Sequence, residues 1–225
     1  MYQIQQLTKT YNMGKVRVQA LAGVSFTVPD NDILAVMGRS GSGKSTLLRQ
    51  MGLLDRPTSG EIVFDGENIT HLPELKRTGL RLRRLGYVFQ EYALLGELTA
   101  HQNVYLPGMM LGKNGVNYRQ RARELLDLVG LGARINHYPR ELSGGEQQRV
   151  AIARALINGP GVVLADEPCA NLDTISSTLI METLVRLNRE LKVTVIFVSH
   201  DPADAKYARH VVILSDGSIT TEENR

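Results

Sequence analysis

The sequence predicts an α/β fold with a mostly parallel core sheet, an antiparallel β subdomain and an inserted helical lobe. Three observations predict it. The runs Ile33-Leu34-Ala35-Val36-Met37, Val162-Val163-Leu164-Ala165 and Val193-Thr194-Val195-Ile196-Phe197-Val198 are short, continuous and apolar on both faces, as parallel strands covered by helices are. Asp-Gly pairs between β-rich runs, in 62–67 and 211–219, are hairpin chemistry and place antiparallel edges or flaps beside that sheet. Between Gln90 and Pro160 the texture turns helical.

Each run leads into a helical segment. Leu47, Leu48, Met51 and Leu54 follow the first with helical spacing, and Ile175, Leu179, Leu184, Leu187 and Leu191 follow the second. Asp201-Pro202, an N-cap and N1 pair, opens the third. In the helical stretch, Ala122, Leu125, Leu126 and Val129 form an i, i+3, i+4, i+7 face with Gly130 as the stop. A further helix is predicted from about Gly145 to Asn158, ended by Gly159-Pro160. No repeat and no low-complexity tract interrupts this order, so the chain reads as one domain, 1–225, with a helical lobe over roughly 91–160.

Composition narrows the function. The 225 residues are 43% apolar and 22% charged, enough to bury a real core and too apolar for disorder. Lys and Arg outnumber Asp and Glu by 26 to 23, and a net charge of +3 is small for a nucleic-acid binder, which often neutralises about 6–10 phosphates. No direct nucleic-acid partner is therefore expected. The longest stretch without Asp, Glu, Lys or Arg, Leu98 to Gly112, contains His101, Gln102, Asn103 and Pro107 and is too short and polar to span a bilayer. Met1-Tyr2-Gln3-Ile4 lacks the features of a secretory signal, and Cys169, the single cysteine, excludes an internal disulfide. A cytoplasmic protein is the expectation.

The chemistry concentrates at strand ends. Gly38-Arg39-Ser40-Gly41-Ser42-Gly43-Lys44-Ser45 fits G-x-x-x-x-G-K-[ST] and stands between an apolar strand and an apolar-periodic helix, the context that motif requires. Its glycines let successive N–H groups turn inward around phosphate oxygens, and the helix beginning near Lys44 adds its positive end. Lys44 would neutralise the β- and γ-phosphates and the Ser45 hydroxyl would ligate Mg²⁺, with Thr46 as the next nucleotide contact. A second apolar strand ends in Asp166-Glu167, where an open α/β sheet binds ligands. Asp166 would hold Mg²⁺, mostly through water, and Glu167 would polarise the water that attacks the γ-phosphate.

Leu142-Ser143-Gly144-Gly145-Glu146-Gln147-Gln148-Arg149, leading into Val150-Ala151-Ile152-Ala153-Arg154-Ala155-Leu156, resembles the signature of the ABC ATPases. It is also a Ser and two glycines opening a helix, a second anion-binding terminus. The resemblance spans essentially the whole chain and implies the ABC type of P-loop NTPase fold, bound ATP and Mg²⁺, and ATP hydrolysis coupled to transport. It further implies that Tyr11 stacks on adenine and that Gln90 touches Mg²⁺ and the attacking water. His200 would hydrogen-bond the γ-phosphate, and Asn171-Leu172-Asp173 would cross a dimer interface. In this family two copies pack head to tail, so ATP on one phosphate loop meets Ser143, Gly144, Gly145 and Glu146 of the other. Glu146 stands where many members have Gln, and Cys169-Ala170 replaces a small hydroxyl residue and a small residue; the second departure bears on interface contacts.

The segments Tyr11 to Leu21, Gly52-Leu53-Leu54-Asp55-Arg56-Pro57-Thr58-Ser59-Gly60, and Ala165-Asp166-Glu167-Pro168 with Asn171-Leu172-Asp173 resemble the branch of lipoprotein-releasing and macrolide- or peptide-export ATPases. That branch implies an integral-membrane permease as partner, and a place on the inner face of the cell membrane through it. Glu91 to Leu95, leading towards Asn103, Val104, Tyr105 and Leu106, are either a groove for a permease's coupling helix or packing for the lobe. The basic run Lys76, Arg77, Arg81, Arg83 and Arg84 either meets lipid headgroups or is a solvated helix face. Two other readings stand beside the transporter subunit: a soluble ABC ATPase acting on nucleic acid or the ribosome, and a regulatory dimer that binds ATP with little turnover.

Overall fold

The computed structural model describes residues 1–14 and 16–224; Lys15, one residue of the Tyr11–Leu21 segment, and Arg225 lie outside them. In chain order the elements are β1 (Tyr2–Met13), β2 (Val16–Val28), β3 (Ile33–Met37), α1 (Lys44–Met51), β4 (Ser59–Phe64), β5 (Glu67–Asn68), α2 (Glu74–Arg84), β6 (Leu85–Val88), α3 (Ala100–Leu111), α4 (Tyr118–Leu128), α5 (Gly144–Leu156), β7 (Val162–Asp166), α6 (Thr174–Leu191), β8 (Thr194–Ser199), β9 (His210–Ser215) and β10 (Ser218–Asn224).

Two sheets form. The core sheet has the order β10-β9-β3-β8-β7-β6, parallel throughout except for β10 against β9. The other is antiparallel, β2-β1-β4-β5. Both predicted Asp-Gly hairpins are present, with Asp65 and Gly66 at φ 50° and 81° and Asp216 and Gly217 at 48° and 75°, the paired positive angles of a two-residue hairpin turn.

The continuous apolar strands divide their side chains between two cores, because successive residues point to opposite faces. Ile33, Ala35, Met37, Val163, Ala165, Val195 and Phe197 pack against α3, α4, α5 and α6. Leu34, Val36, Val162, Leu164, Ile196 and Val198 pack against α1 and the antiparallel sheet. Each fully buried aliphatic side chain contributes about 1.5–3 kcal/mol, so the sheet is held from both sides.

Several helix expectations need correction. The face of α6 that enters the core is Ile180, Met181, Leu184 and Leu187; Ile175 and Leu179 lie on the opposite side of the helix and Leu191 is its last residue, and all three are exposed. Leu54 lies beyond α1 and is exposed. Asp201 does cap a helix, its carboxylate accepting from Ala203 N at 2.9 Å, but Pro202–Tyr207 is a short 3₁₀ segment. The predicted 145–158 helix runs over Gly144–Leu156. Ala122, Leu125, Leu126 and Val129 are all buried, and Gly130 ends the segment at φ 74°.

The basic run is neither of the two things expected of it as a whole. Arg77 is 2% exposed, and its Nη2 donates to the carbonyls of Leu53 at 2.7 Å and Asp55 at 2.8 Å. Arg81 Nη1 donates to the same Leu53 carbonyl at 2.7 Å. Arg77 and Arg81 thus cap the turn after α1, a use no charge pattern announces, whereas Lys76, Arg83 and Arg84 are exposed on the helix surface.

Candidate nucleotide site

The C-terminal ends of β3, β7 and β8 lie side by side, in the register Met37–Ser199 and Asp166–Val198, and the residues just past these ends make up the predicted site. After β3 the chain turns at once into the 38–43 loop, whose tightness depends on glycine. A Cβ at Gly38 would stand 2.3 Å from the Leu214 carbonyl oxygen, and one at Gly43 would stand 2.3 Å from that of Ala20. The loop is therefore wedged between β2 and β9, and Gly217 N pins it further by donating to Ser42 O at 3.0 Å.

Lys44 is 4% exposed and folds over this loop, its Nζ donating to the carbonyls of Gly38 and Arg39 at 2.8 and 2.9 Å. Burial lowers its pKa, against the opposing pull of Glu167 and Asp166. Ser45 Oγ donates to Asp166 Oδ1 at 2.8 Å, joining the phosphate loop to the acidic strand. Burial raises the Asp166 pKa, with the Ser45 bond working in the other direction. Ser42 Oγ in the loop is buried with no hydrogen-bond partner, and the buried Tyr87 hydroxyl lies beside the Asp166 carboxylate. A hydroxyl, a carboxylate and unfilled bonding capacity are a donor set that suits Mg²⁺ carrying phosphate oxygen and water. Among the described residues no group of three His, Cys, Asp or Glu gathers to hold a metal on protein ligands alone.

Glu167 sits one residue past β7 at φ 43°, left-handed backbone that costs a non-glycine residue about 1–2 kcal/mol. Its N–H donates to Val198 O at 3.2 Å, and its Oε2 lies 3.2 Å from His200 Nδ1. The strained turn brings the second acid of Asp166-Glu167 onto the histidine just past β8. Gln90 is exposed two residues beyond β6, whose last residue, Val88, pairs with Ala165, so it belongs to the same sheet edge.

Tyr11 lies on β1 beside α1. Its Oη donates to Asp55 Oδ2 at 2.7 Å and also lies close to the Thr46 side chain. Lys9 Nζ stands 4.8 Å from the ring centroid. Sequence reasoning missed both Asp55 and Lys9. Lys9 was legible as the i−2 neighbour on one strand face, whereas Asp55, 44 residues away, gave no signal.

The signature residues open α5 elsewhere. Ser143 Oγ accepts from Glu146 N at 3.2 Å and Glu146 Oε2 accepts from Ser143 N at 2.8 Å, a reciprocal cap. Glu146 does here what its carboxylate is suited for, and its pKa is lowered chiefly by that backbone bond. Cβ atoms at Gly144 and Gly145 would meet Tyr92 Oη at 2.8 Å and Ser176 Oγ at 3.0 Å. Asp173 caps α6 through Ser176, accepting from its N at 2.9 Å and its Oγ at 2.7 Å. Among the described residues no hydrogen bond or ion pair joins 143–146 to 38–46. The two helix N-termini at which the sequence predicts anion binding are thus not bonded to each other within one chain.

A cavity of 310 Å³ lies between Glu167, Asn171, Leu172, Ser177, His200 and Tyr207. No residue of the 38–46 loop lines it, so it flanks the phosphate cradle. Cys169 also borders it; burial pushes the thiol pKa up to about 12, and its Sγ donates to Ser177 O at 3.6 Å. Of the segment after Gln90, Asn103 and Val104 are buried, and Asn103 Nδ2 donates to the Leu95 and Leu98 carbonyls at 3.0 Å each. The exposed apolar residues here are Leu95, Met109 and Met110, the last two absent from the sequence expectation.

Comparison with known proteins agrees with this geometry. The family model for the ABC transporter matches residues 21–170. The macrolide export ATP-binding/permease protein MacB of Syntrophobacter fumaroxidans is 47% identical over 98% of this chain, which spans only 31% of that relative. The lipoprotein-releasing system ATP-binding protein LolD of Geobacter metallireducens is 46% identical over 98% of both chains. Among solved structures, the ATP-binding cassette MJ0796, a dimer in a post-hydrolysis state bound to ADP and Pi, superposes with a TM-score of 0.92 at 40% identity, covering 100% of this chain and 98% of that one. Among the described residues no helix is long and apolar enough to cross a membrane. With the phosphate loop, the acidic strand and the signature helix in these positions, the chain belongs to the ABC transporter family as an ATP-binding, ATP-hydrolysing subunit.

Proposed function

We propose that this chain, a single ATPase domain over 1–225 with its helical lobe at roughly 91–160, drives an integral-membrane permease by binding and hydrolysing ATP with Mg²⁺ between two copies of itself. The observation that carries the reading is the Ser45–Asp166 bond of 2.8 Å beneath Lys44, beside Glu167 and His200.

The backbone amides of Gly38, Arg39, Ser40, Gly41, Ser42 and Gly43, with Thr46, hold the phosphates, and Lys44 leaves its own loop carbonyls to neutralise the β- and γ-groups. Ser45, Asp166 and Gln90 would hold Mg²⁺, which when bound offsets negative charge on the β- and γ-phosphate oxygens. Tyr11 stacks on adenine. Glu167 takes the proton of the attacking water, whose oxygen bonds to the γ-phosphorus as the bridging bond to the β-phosphate breaks. His200 orients Glu167 and bonds the γ-phosphate. Ser143, Gly144, Gly145 and Glu146 of the second copy complete the site, with Asp173 at the interface. The absence of any bond from these residues to 38–46 among the described residues, and the dimeric MJ0796 cassette, support that arrangement.

Leu95, Met109 and Met110 form the surface on which the permease docks, which places the subunit on the inner face of the cell membrane. The work performed is lipoprotein release or macrolide or peptide export, after the MacB and LolD relatives. No observation favours the nucleic-acid or ribosome alternative. Tagged Glu167→Gln protein, recovered from membranes solubilised with ATP and Mg²⁺, should carry an integral-membrane permease whose extracytoplasmic part narrows the cargo. Recovery of soluble partners alone, such as ribosomes or DNA, would contradict the reading.

A further inference from the structure

The contacts around Tyr11, whose hydroxyl also lies beside the Thr46 side chain, are tied to one another. Its hydroxyl donates to Asp55 Oδ2 at 2.7 Å, and Lys9 Nζ donates to Asp55 Oδ1 at 2.8 Å and to the Arg56 carbonyl at 2.7 Å. Lys9 and Tyr11 are i and i+2 on β1, so their side chains rise from one face, and the Lys9 ammonium stands 4.8 Å from the Tyr11 ring centroid. The Lys9 side chain is only 13% exposed, which marks a held group rather than a solvated surface lysine.

Asp55 is itself fixed from two sides. Its N–H and that of Leu54 donate to the Arg49 carbonyl of α1 at 3.3 and 2.8 Å. Its carbonyl accepts from Arg77 at 2.8 Å, while Arg77 and Arg81 together hold the Leu53 carbonyl, at a residue with φ 58°. The 53–56 turn is therefore clamped between the phosphate-loop helix and α2. A tyrosine ring has two torsions, and here the far end of the ring is tied as firmly as the near end.

We propose that Asp55 is the positioning residue for base recognition: with Lys9 it locks the Tyr11 ring at a set angle and tethers it to α1. The ring's approach to the base is then fixed relative to the phosphate cradle before nucleotide arrives. The inference rests on the reading of Tyr11 as the adenine platform. A platform held in place before binding loses less freedom on binding, and the gain applies only to ligands that carry a base. Inorganic tripolyphosphate, which occupies the phosphate loop alone, is indifferent to it.

The test compares Tyr11→Ala, Tyr11→Phe, Asp55→Ala and the Tyr11→Phe/Asp55→Ala pair by two readouts, KM for ATP and the Ki of tripolyphosphate against ATP hydrolysis. Tyr11→Phe keeps the ring and loses the hydroxyl's contacts with Asp55 and Thr46, so it remains informative even if Asp55→Ala folds poorly, and the tripolyphosphate Ki reads any effect through Thr46. The expected result is an ATP KM raised about five- to tenfold in Tyr11→Phe and in Asp55→Ala, on the scale of one lost hydrogen bond. The pair should be no worse than the worse single variant, and the tripolyphosphate Ki should stay within about twofold of wild type. An unchanged ATP KM in Tyr11→Ala would overturn the platform reading and the proposal with it. A raised KM in Tyr11→Ala but not in Tyr11→Phe or Asp55→Ala would overturn the proposal alone. Parallel losses for ATP and tripolyphosphate would show a structural staple and would also overturn it.

Discussion

Lys44 and Asp55 each hold a charge in place through short hydrogen bonds, yet they lead to different predictions. Lys44 Nζ rests on its own loop's carbonyls, and in the proposed function that charge meets the incoming phosphate. Replacing it by Ala removes a hydrogen bond to a charged group, about 1.5–3 kcal/mol, and ATP affinity should fall about 10- to 100-fold in an equilibrium titration. Unchanged affinity would remove Lys44 from the site. Asp55 is opposed by burial, but the bonds from Lys9, Tyr11 and Arg56 leave its pKa below the ordinary carboxylate value. A lowered folded-state pKa contributes stability that is present above the unfolded value, about pH 4, and is lost as pH falls through the folded one. The stability gap between wild type and Asp55→Ala in urea should therefore be full at neutral pH and shrink below about pH 4. A gap that widens in acid would show that the fold raises the Asp55 pKa instead of lowering it. The two residues also differ in legibility. The phosphate loop is contiguous, so Lys44 was visible in the sequence, whereas the Tyr11–Asp55 bond joins positions 44 apart in the chain and depends on where α1 ends.

At the scale of elements, the packing of α3 against α4 turns on Gly108. Alanine in a helix interior is worth about 1 kcal/mol over glycine, which argues for stabilisation by Gly108→Ala. The added Cβ, however, would stand 2.2 Å from Tyr118 Cδ1 and 2.6 Å from Cγ, the inner part of a buried ring with little room to move. Overpacking of this kind costs about 1–3 kcal/mol, so the clash wins and the variant should melt lower than wild type. An equal or higher melting temperature would show that α3 and α4 can part without cost. The parallel strands and the α4 face were legible because periodicity reports burial directly. The buried face of α6 was misread because Ile175 and Leu179, four residues apart, make an apolar pair of their own on the other side of the helix. Arg77 and Arg81 were misread because charge in a sequence does not say which carbonyls it will meet.

At the scale of the whole molecule, four strands of the core sheet deliver their chemistry to one edge. The 38–46 loop, Gln90, Asp166 with Glu167, and His200 come after β3, β6, β7 and β8 in turn. The second anion-binding terminus, at Ser143, has no bond to that edge within the described residues, and a head-to-tail pair of copies is the arrangement that joins the two. In the proposed pair ATP belongs to both copies and would stabilise the dimer by mass action, and losing the γ-phosphate would loosen it. The most direct test is the Glu167→Gln protein, mixed with ATP and Mg²⁺, with phosphate release and size in solution as the readouts. The account predicts ATP binding without turnover and a two-chain species that appears only with ATP. Hydrolysis at the wild-type rate, or an ATP-loaded variant that stays at the single-chain size, would contradict it.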